Sequence, residues 1–182
     1  QKEEFFPAGP PSSIDIPSVF MDERQGFPEM LSYQRERALK IFLLLIFLAE
    51  SKGAPAFHIS PEAVGEFLGI LKGKDRTSVR RQVIRVLRDL EDLDKLVQTE
   101  FRHGKKVWVK ILLPPGPTFP VGTDVLEAGE LSVLTDNAIF LRLMKARLQA
   151  EGKRLQELSP TGITRRFFIG RRTYKRAKME KA

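Results

Sequence analysis

Between positions 77 and 88 four side chains recur at steps of four, four and three residues: Thr77, Arg81, Arg85 and Arg88. At about 100° per residue a helix collects them on one face, with Ser78 at its edge. Guanidinium groups lined up this way repel, at a few tenths of a kcal/mol per pair, and a polyanion would offset that. Their planar, bidentate donors match phosphate oxygens and guanine edges. Asp89 and Asp92 stand four residues beyond Arg85 and Arg88 and offer the ordinary alternative, a solvated face laced with ion pairs. Arg81 has no such acid. Two more basic groups stand out. One is the turn-like "RHGKK", with Arg102, His103, Lys105 and Lys106. The other is the stretch 159–182, where eight Lys or Arg face a single acid, Glu180; it holds Arg165, Arg166, Arg171, Arg172, Lys175 and Arg176 beside Thr173 and Tyr174.

Other chemistries find little support. The 182 residues include no cysteine, which removes disulfides, thiolate metal sites and thiol nucleophiles, and fits a reducing cytosol. The two histidines, His58 and His103, are far apart, so neither Tyr33 nor Tyr174 has the histidine cluster of a metal-assisted nicking tyrosine. "GILKGKD" from Gly69 is one residue short of a phosphate-binding loop, and Asp75 stands where a hydroxyl should hold magnesium. No catalysis, cofactor or metal is expected. The net charge of +8 and pI of about 9.9 favour polyanionic partners. The longest apolar run, "IFLLLIFLA" at 41–49, is too short to span a bilayer and predicts a buried helix. No membrane association and a cytoplasmic location are therefore expected.

The elements that must carry the basic residues can be read from local signals. Ser32 is a candidate cap for a helix running to Ala49, ended by "SKGAP". Ser60 followed by Pro61 opens a second helix, with Val64, Phe67 and Leu68 inward. After the Gly- and Lys-rich turn at 69–75, Asp75 or Thr77 starts a third helix that runs to about Asp94. Its apolar side is Val79, Val83, Val86, Leu87 and Leu90. Then Val107, Val109 and Ile111 alternate with polar or amphipathic neighbours as a strand, and the turn at Arg102 makes it half of a hairpin with a basic tip.

The chain also resembles itself. "LSYQRERALKIFLLL" from Leu31 aligns with "LSVLTDNAIFLRLMK" from Leu131 at an offset of 100. Ser60-Pro61 aligns with Ser159-Pro160 at 99, and Arg76-Thr77 with Arg172-Thr173 at 96. Two copies of one unit are the economical explanation. The expected organisation is a flexible N-terminal arm over 1–15, a first unit over 16–113, a stiff Pro-rich linker over 114–120 and an incomplete second unit over 121–182. In that scheme Ser159 caps the second helix of the second copy, and "RRTYKRAKMEKA" begins its third. A hairpin to follow that helix is missing, which leads to the expectation that the native protein is longer. The competing reading of 159–182 is a basic tail.

Three helices followed by a basic hairpin, with "RTSVRR…VLRDLEDLDKLV" as the third helix and its exit, resemble the winged helix-turn-helix of bacterial DNA-binding proteins. Asp94 and Lys95 depart from the family by standing where Gly is often found. The doubled unit, each copy with a Pro-containing opening and then "LS", resembles tandem winged-helix plasmid replication initiators over most of the chain from Ile16. The resemblance implies a mainly α fold with small β-hairpin wings (α+β). It implies double-stranded DNA as partner, a replication or transcription setting, and a nucleoid or plasmid location in a bacterium. It places the DNA contacts at Thr77, Ser78, Arg81, Arg85, Arg88, Arg102, His103, Lys105, Lys106, Arg165, Arg166, Arg171, Arg172, Thr173, Tyr174, Lys175 and Arg176. A transcriptional regulator is the close alternative. A protein-interaction or self-association module, docking through "FFPAGPPSSIDIPSVF", is the alternative of another class.

Overall fold

The computed structural model describes residues 6, 9–22, 27–32, 35, 37–70, 75–101 and 104–152. The elements in order are β1 (Ser13–Pro17), α1 (Val19–Asp22), α2 (Phe27–Ser32), α3 (Ala38–Lys52), β2 (Ala56–Ile59), α4 (Pro61–Phe67), α5 (Arg76–Asp92), β3 (Val97–Glu100), β4 (Val107–Ile111), β5 (Thr118–Gly122), a 3₁₀ turn (Ala128–Ser132) and α6 (Asp136–Ala150). They make an α+β fold with two small antiparallel sheets, β1–β5 and β2–β4–β3. None of the described helices is long and apolar enough to cross a membrane.

Helix α3 sits at the centre. Its residues 41–48 are all buried, with Ala38 and Leu39. A helix that is apolar on every side must be covered on every side, and here α2, α5, α6, β1, β4 and the 3₁₀ turn supply the cover. The run of apolar residues thus makes the buried helix its composition predicts. Gly53 ends it with φ 63, its amide donating to Glu50 O. The start differs from expectation. Ser32 closes the short helix α2, and α3 begins only at Ala38, behind Arg37, whose φ is 68.

The proline-rich ends are also more structured than their composition suggests. Within the stretch expected as a flexible arm over 1–15, the described residues include the start of the strand Ser13–Pro17 and Phe6, which is buried against Phe67. The linker expected over 114–120 gives up its last residues to β5. In the β1–β5 ladder Ile14 faces Val121 and Ile16 faces Phe119, and all four are buried. Alternation of apolar and polar residues at period two drives both strands, and Pro17 and Pro120 are tolerated because each strand has only one neighbour. Residues from both sides of the linker, Phe6 to Leu148, share one contiguous core.

Both halves open with a strand and reach a long helix through short helical segments: β1, α1, α2 and α3 in the first, and β5, the 3₁₀ turn and α6 in the second, which has no counterpart of α1 among the described residues. Ser32 and Ser132 close the two short turns, and the long helices are 15 residues each. Thr135, not Ser132, caps α6, its Oγ1 accepting from the Ala138 amide at 3.2 Å. Residues 153–182, which hold the expected second-unit helices, lie outside the described residues.

The two long helices meet at their starts. Asp136, in the first turn of α6, accepts from the Leu39 amide of α3 through Oδ2 at 3.4 Å, while Oδ1 has no partner among the described residues. Arg37 provides no side-chain cap, so an acid from the other half serves α3 in its place. Burial pushes the Asp136 carboxyl up to about 6, against the opposing pull of Lys40 and the amides of Leu39, Lys40 and Arg37. An acid whose folded pKa exceeds its unfolded value near 3.8 favours folding fully below that value. The contribution is lost as pH rises through about 6. The expected result is that Asp136→Asn gains thermal stability relative to the parent as pH is raised from about 3 to about 7, roughly one unit beyond each end of the window. A melting-temperature difference that stays constant over that range would refute the assignment.

Candidate nucleic-acid interface

Helix α4 starts as its sequence dictates. Pro61 occupies the first turn, and Ser60 Oγ accepts from the Ala63 amide at 3.3 Å. Helix α5 starts at Asp75, whose Oδ1 accepts from the Ser78 amide at 2.8 Å, while Ser78 Oγ donates to Oδ2 at 3.0 Å. These two bonds from Ser78 hold the Asp75 carboxyl below the usual carboxylate range. They also commit the Ser78 hydroxyl to the cap.

The two helices touch closely. A Cβ built on Gly65 would lie 2.1 Å from Val79 Cγ1, so only glycine lets α5 settle against α4 at this distance. The buried face of α5 is Val79, Val83, Val86, Leu87 and Leu90, the set its periodicity predicts. Thr77, Arg81, Arg85 and Arg88 all project to solvent on the other side. Among the described residues no ion pair joins Arg85 to Asp89 or Arg88 to Asp92, and Arg81 has no acidic partner. Arg88 instead lies over the ring of Phe101, 5.1 Å from its centre, and Phe101 is 42% exposed.

The hairpin stands beside this face. Strands β3 and β4 pair from Val97 opposite Ile111 to Glu100 opposite Trp108, and β2 flanks β4 on its other side. Strand β2, which includes His58, was not legible as a strand; four residues between a turn and a helix start carry too little periodicity. Lys105 and Lys106 are exposed at the tip, and Gly104 turns there with φ 131. Arg102 and His103 lie outside the described residues, as do Arg165, Arg166, Arg171, Arg172, Thr173, Tyr174, Lys175 and Arg176.

Two side chains absent from the expected site, Arg80 and Glu91, join helix to hairpin, and a third, Asp94, ties the exit of α5 to Arg35. Arg80 Nη1 donates to the Lys105 carbonyl at 2.8 Å and lies 3.3 Å from Glu62 Oε2 of α4. Glu91 accepts from Thr99 through both its amide and its hydroxyl, the latter at 2.8 Å. Asp94 takes a two-pronged bond from Arg35, one arm at 2.7 Å. The adjacency of Arg80 and Arg81 carries a signal for the first: neighbours on a helix point about 100° apart, so both cannot serve the same face. Lys95 has φ 58, the left-handed backbone that glycine adopts freely and other residues hold at roughly 1–2 kcal/mol. The chain therefore makes at Lys95 a left-handed turn that glycine would adopt without this cost. Among the described residues no group of His, Cys, Asp or Glu is arranged to hold a metal ion.

Gly65→Ala is expected to destabilise the fold by about 1–3 kcal/mol despite the better helix propensity of alanine, because stiff, β-branched Val79 must move. Urea unfolding measures this, and an unchanged or higher midpoint would show that the helix pair yields freely.

No family model, curated protein or solved structure matches the chain.

Proposed function

We propose that this chain binds double-stranded DNA as a winged helix, with α5 in a major groove and the β3–β4 hairpin against the backbone beside it. The observation that carries the reading is the exposed, acid-free pair Arg81 and Arg85, on the face of α5 opposite the core and next to a hairpin tip bearing Lys105 and Lys106. A helix that exposes like charges without pairing them is suited to an external anion. Arginine can read guanine edges in two-pronged fashion, whereas lysines on a loop suit phosphates.

The proposal extends to a tandem protein that initiates replication of a plasmid or phage. Its support is the repeated sequence, together with a strand leading through short helical segments to a 15-residue helix in each half. In this reading Arg172 and Arg176 do for the second unit what Arg81 and Arg85 do for the first. A selected DNA site repeated at a replication origin would favour initiation; one overlapping a promoter would make the protein a transcriptional regulator. The protein-docking reading is weakened by the N-terminal stretch itself, because Phe6, Ile14, Ile16 and Phe20 are buried within this chain.

Binding to duplex DNA of random sequence should fall by about 10³- to 10⁵-fold between 50 and 200 mM salt if some 6–10 phosphates are contacted. No binding at the lower salt would sink the proposal. Against a site selected from a random library, Arg81→Ala should cost about 1–3 kcal/mol and flatten the preference at one or two positions. Lys105→Ala should weaken all sequences about equally and reduce the salt slope by about one. Titrations against the selected and a scrambled site separate these, and interchange of the two effects would reverse the roles of helix and hairpin.

A further inference from the structure

The β3–β4 ladder ends at Glu100 opposite Trp108, so Lys105 and Lys106 lie beyond the last paired residues. The strands do not set the direction of such a tip. Gly104, at φ 131, adds no side chain to steady it. What reaches the tip is Arg80. Its guanidinium donates to the Lys105 carbonyl at 2.8 Å and is itself held by Glu62 at 3.3 Å. Glu62 in turn accepts from Ser60 Oγ, the hydroxyl that caps α4, also at 3.3 Å. The Arg80 and Glu62 side chains are only 28% and 21% exposed, so the pair is shielded more than an ordinary surface bridge and holds a more definite geometry. A chain of polar contacts thus runs from the start of α4 through α5 to one backbone carbonyl of the hairpin tip. Arg81, the next residue, points away to the exposed face.

We infer that Arg80 is a positioning residue for DNA binding: it fixes the hairpin tip relative to α5 so that Lys105 and Lys106 meet the same duplex as Arg81 and Arg85. The inference rests on the DNA-binding reading above. It separates two neighbouring arginines by task, one directed at the nucleic acid and one at the protein's own loop. Binding the tip carbonyl leaves the two lysine side chains free to face outward, which both do.

The test is a double-mutant cycle on the full chain, with a random-sequence DNA duplex as the probe and affinity measured across a salt series. Arg80→Gln should make the salt dependence shallower by about one to two phosphate contacts, each worth about 0.9 in slope. The Lys105→Ala/Lys106→Ala pair should do the same. Adding Arg80→Gln to that pair should change nothing further, because the lysines it positions are gone. If Arg80 touched phosphate itself, its loss would still flatten the slope in the lysine-free background, and the inference would be overturned. If Arg80→Gln does not fold, as judged by its thermal transition, Glu62→Gln takes its place: it keeps the Arg80 charge and removes the anchor. It should shift the slope in the same direction, and an unchanged slope would overturn the inference. Additive effects in a chain that binds DNA would leave the DNA reading standing and remove the role of Arg80. Failure of the unsubstituted chain to bind would remove both.

Discussion

Helix α3 cannot be left uncovered on any side. Ten of its fifteen residues are buried, and at 41–48 they follow one another without a polar interruption. Burying a Leu, Ile or Phe side chain is worth about 1.5–3 kcal/mol, so the strongest demand in this chain is for partners around that one helix. Elements from both halves answer it: β1 and α2 from before it, α5 and β4 from after it, and α6 with its preceding 3₁₀ turn from beyond the linker. The outward character of α5 follows. Only one side of α5 is needed as cover, and Val79, Val83, Val86, Leu87 and Leu90 supply it. The opposite side is left to solvent, with its arginines.

The same demand brings the halves into contact where contact costs something. Packing α6 beside α3 places Asp136 next to the first amides of α3, where it replaces a missing cap but loses most of its water. A carboxylate accepting from helix amides is favourable, yet the desolvation cost dominates and lifts its pKa. Apolar residues of both halves share one core, and Asp136 is an electrostatically sensitive acid where the two long helices meet.

Around α5, rigidity comes from polar links as well as from packing. Gly65 lets α4 approach Val79 closely. Glu91 fastens β3 to the helix end, and Arg35 fastens Asp94 just beyond it. Arg80 adds the tip of the hairpin. Links from the cap of α4 to the exit of α5 thus tie the exposed arginines and the exposed lysines into one surface. For the proposed contact with a duplex such preorganisation would matter, since each loose side chain or loop ordered on binding subtracts from affinity.

Much of this was legible in the amino-acid order. Periodicity and capping depend on neighbours three or four positions away. For that reason the burial of α3, the Ser60–Pro61 start, a start of α5 at Asp75 or Thr77, the two faces of α5 and the strand in which Val107, Val109 and Ile111 alternate could all be read without coordinates. What the sequence alone left open depends on partners far along the chain. Ser13 pairs with Gly122, and the brief alternation within each proline-rich segment becomes a strand only through that distant partner. The beginning of α3 at Ala38, not after Ser32, was likewise settled by what packs there, including Asp136 from the other half. The direction of Arg80 is the sharpest case. Its type and spacing resemble those of its neighbour Arg81, and only the tertiary placement of Glu62 and the Lys105 carbonyl turns it inward. Helical spacing selects a face; the folded chain decides what that face meets.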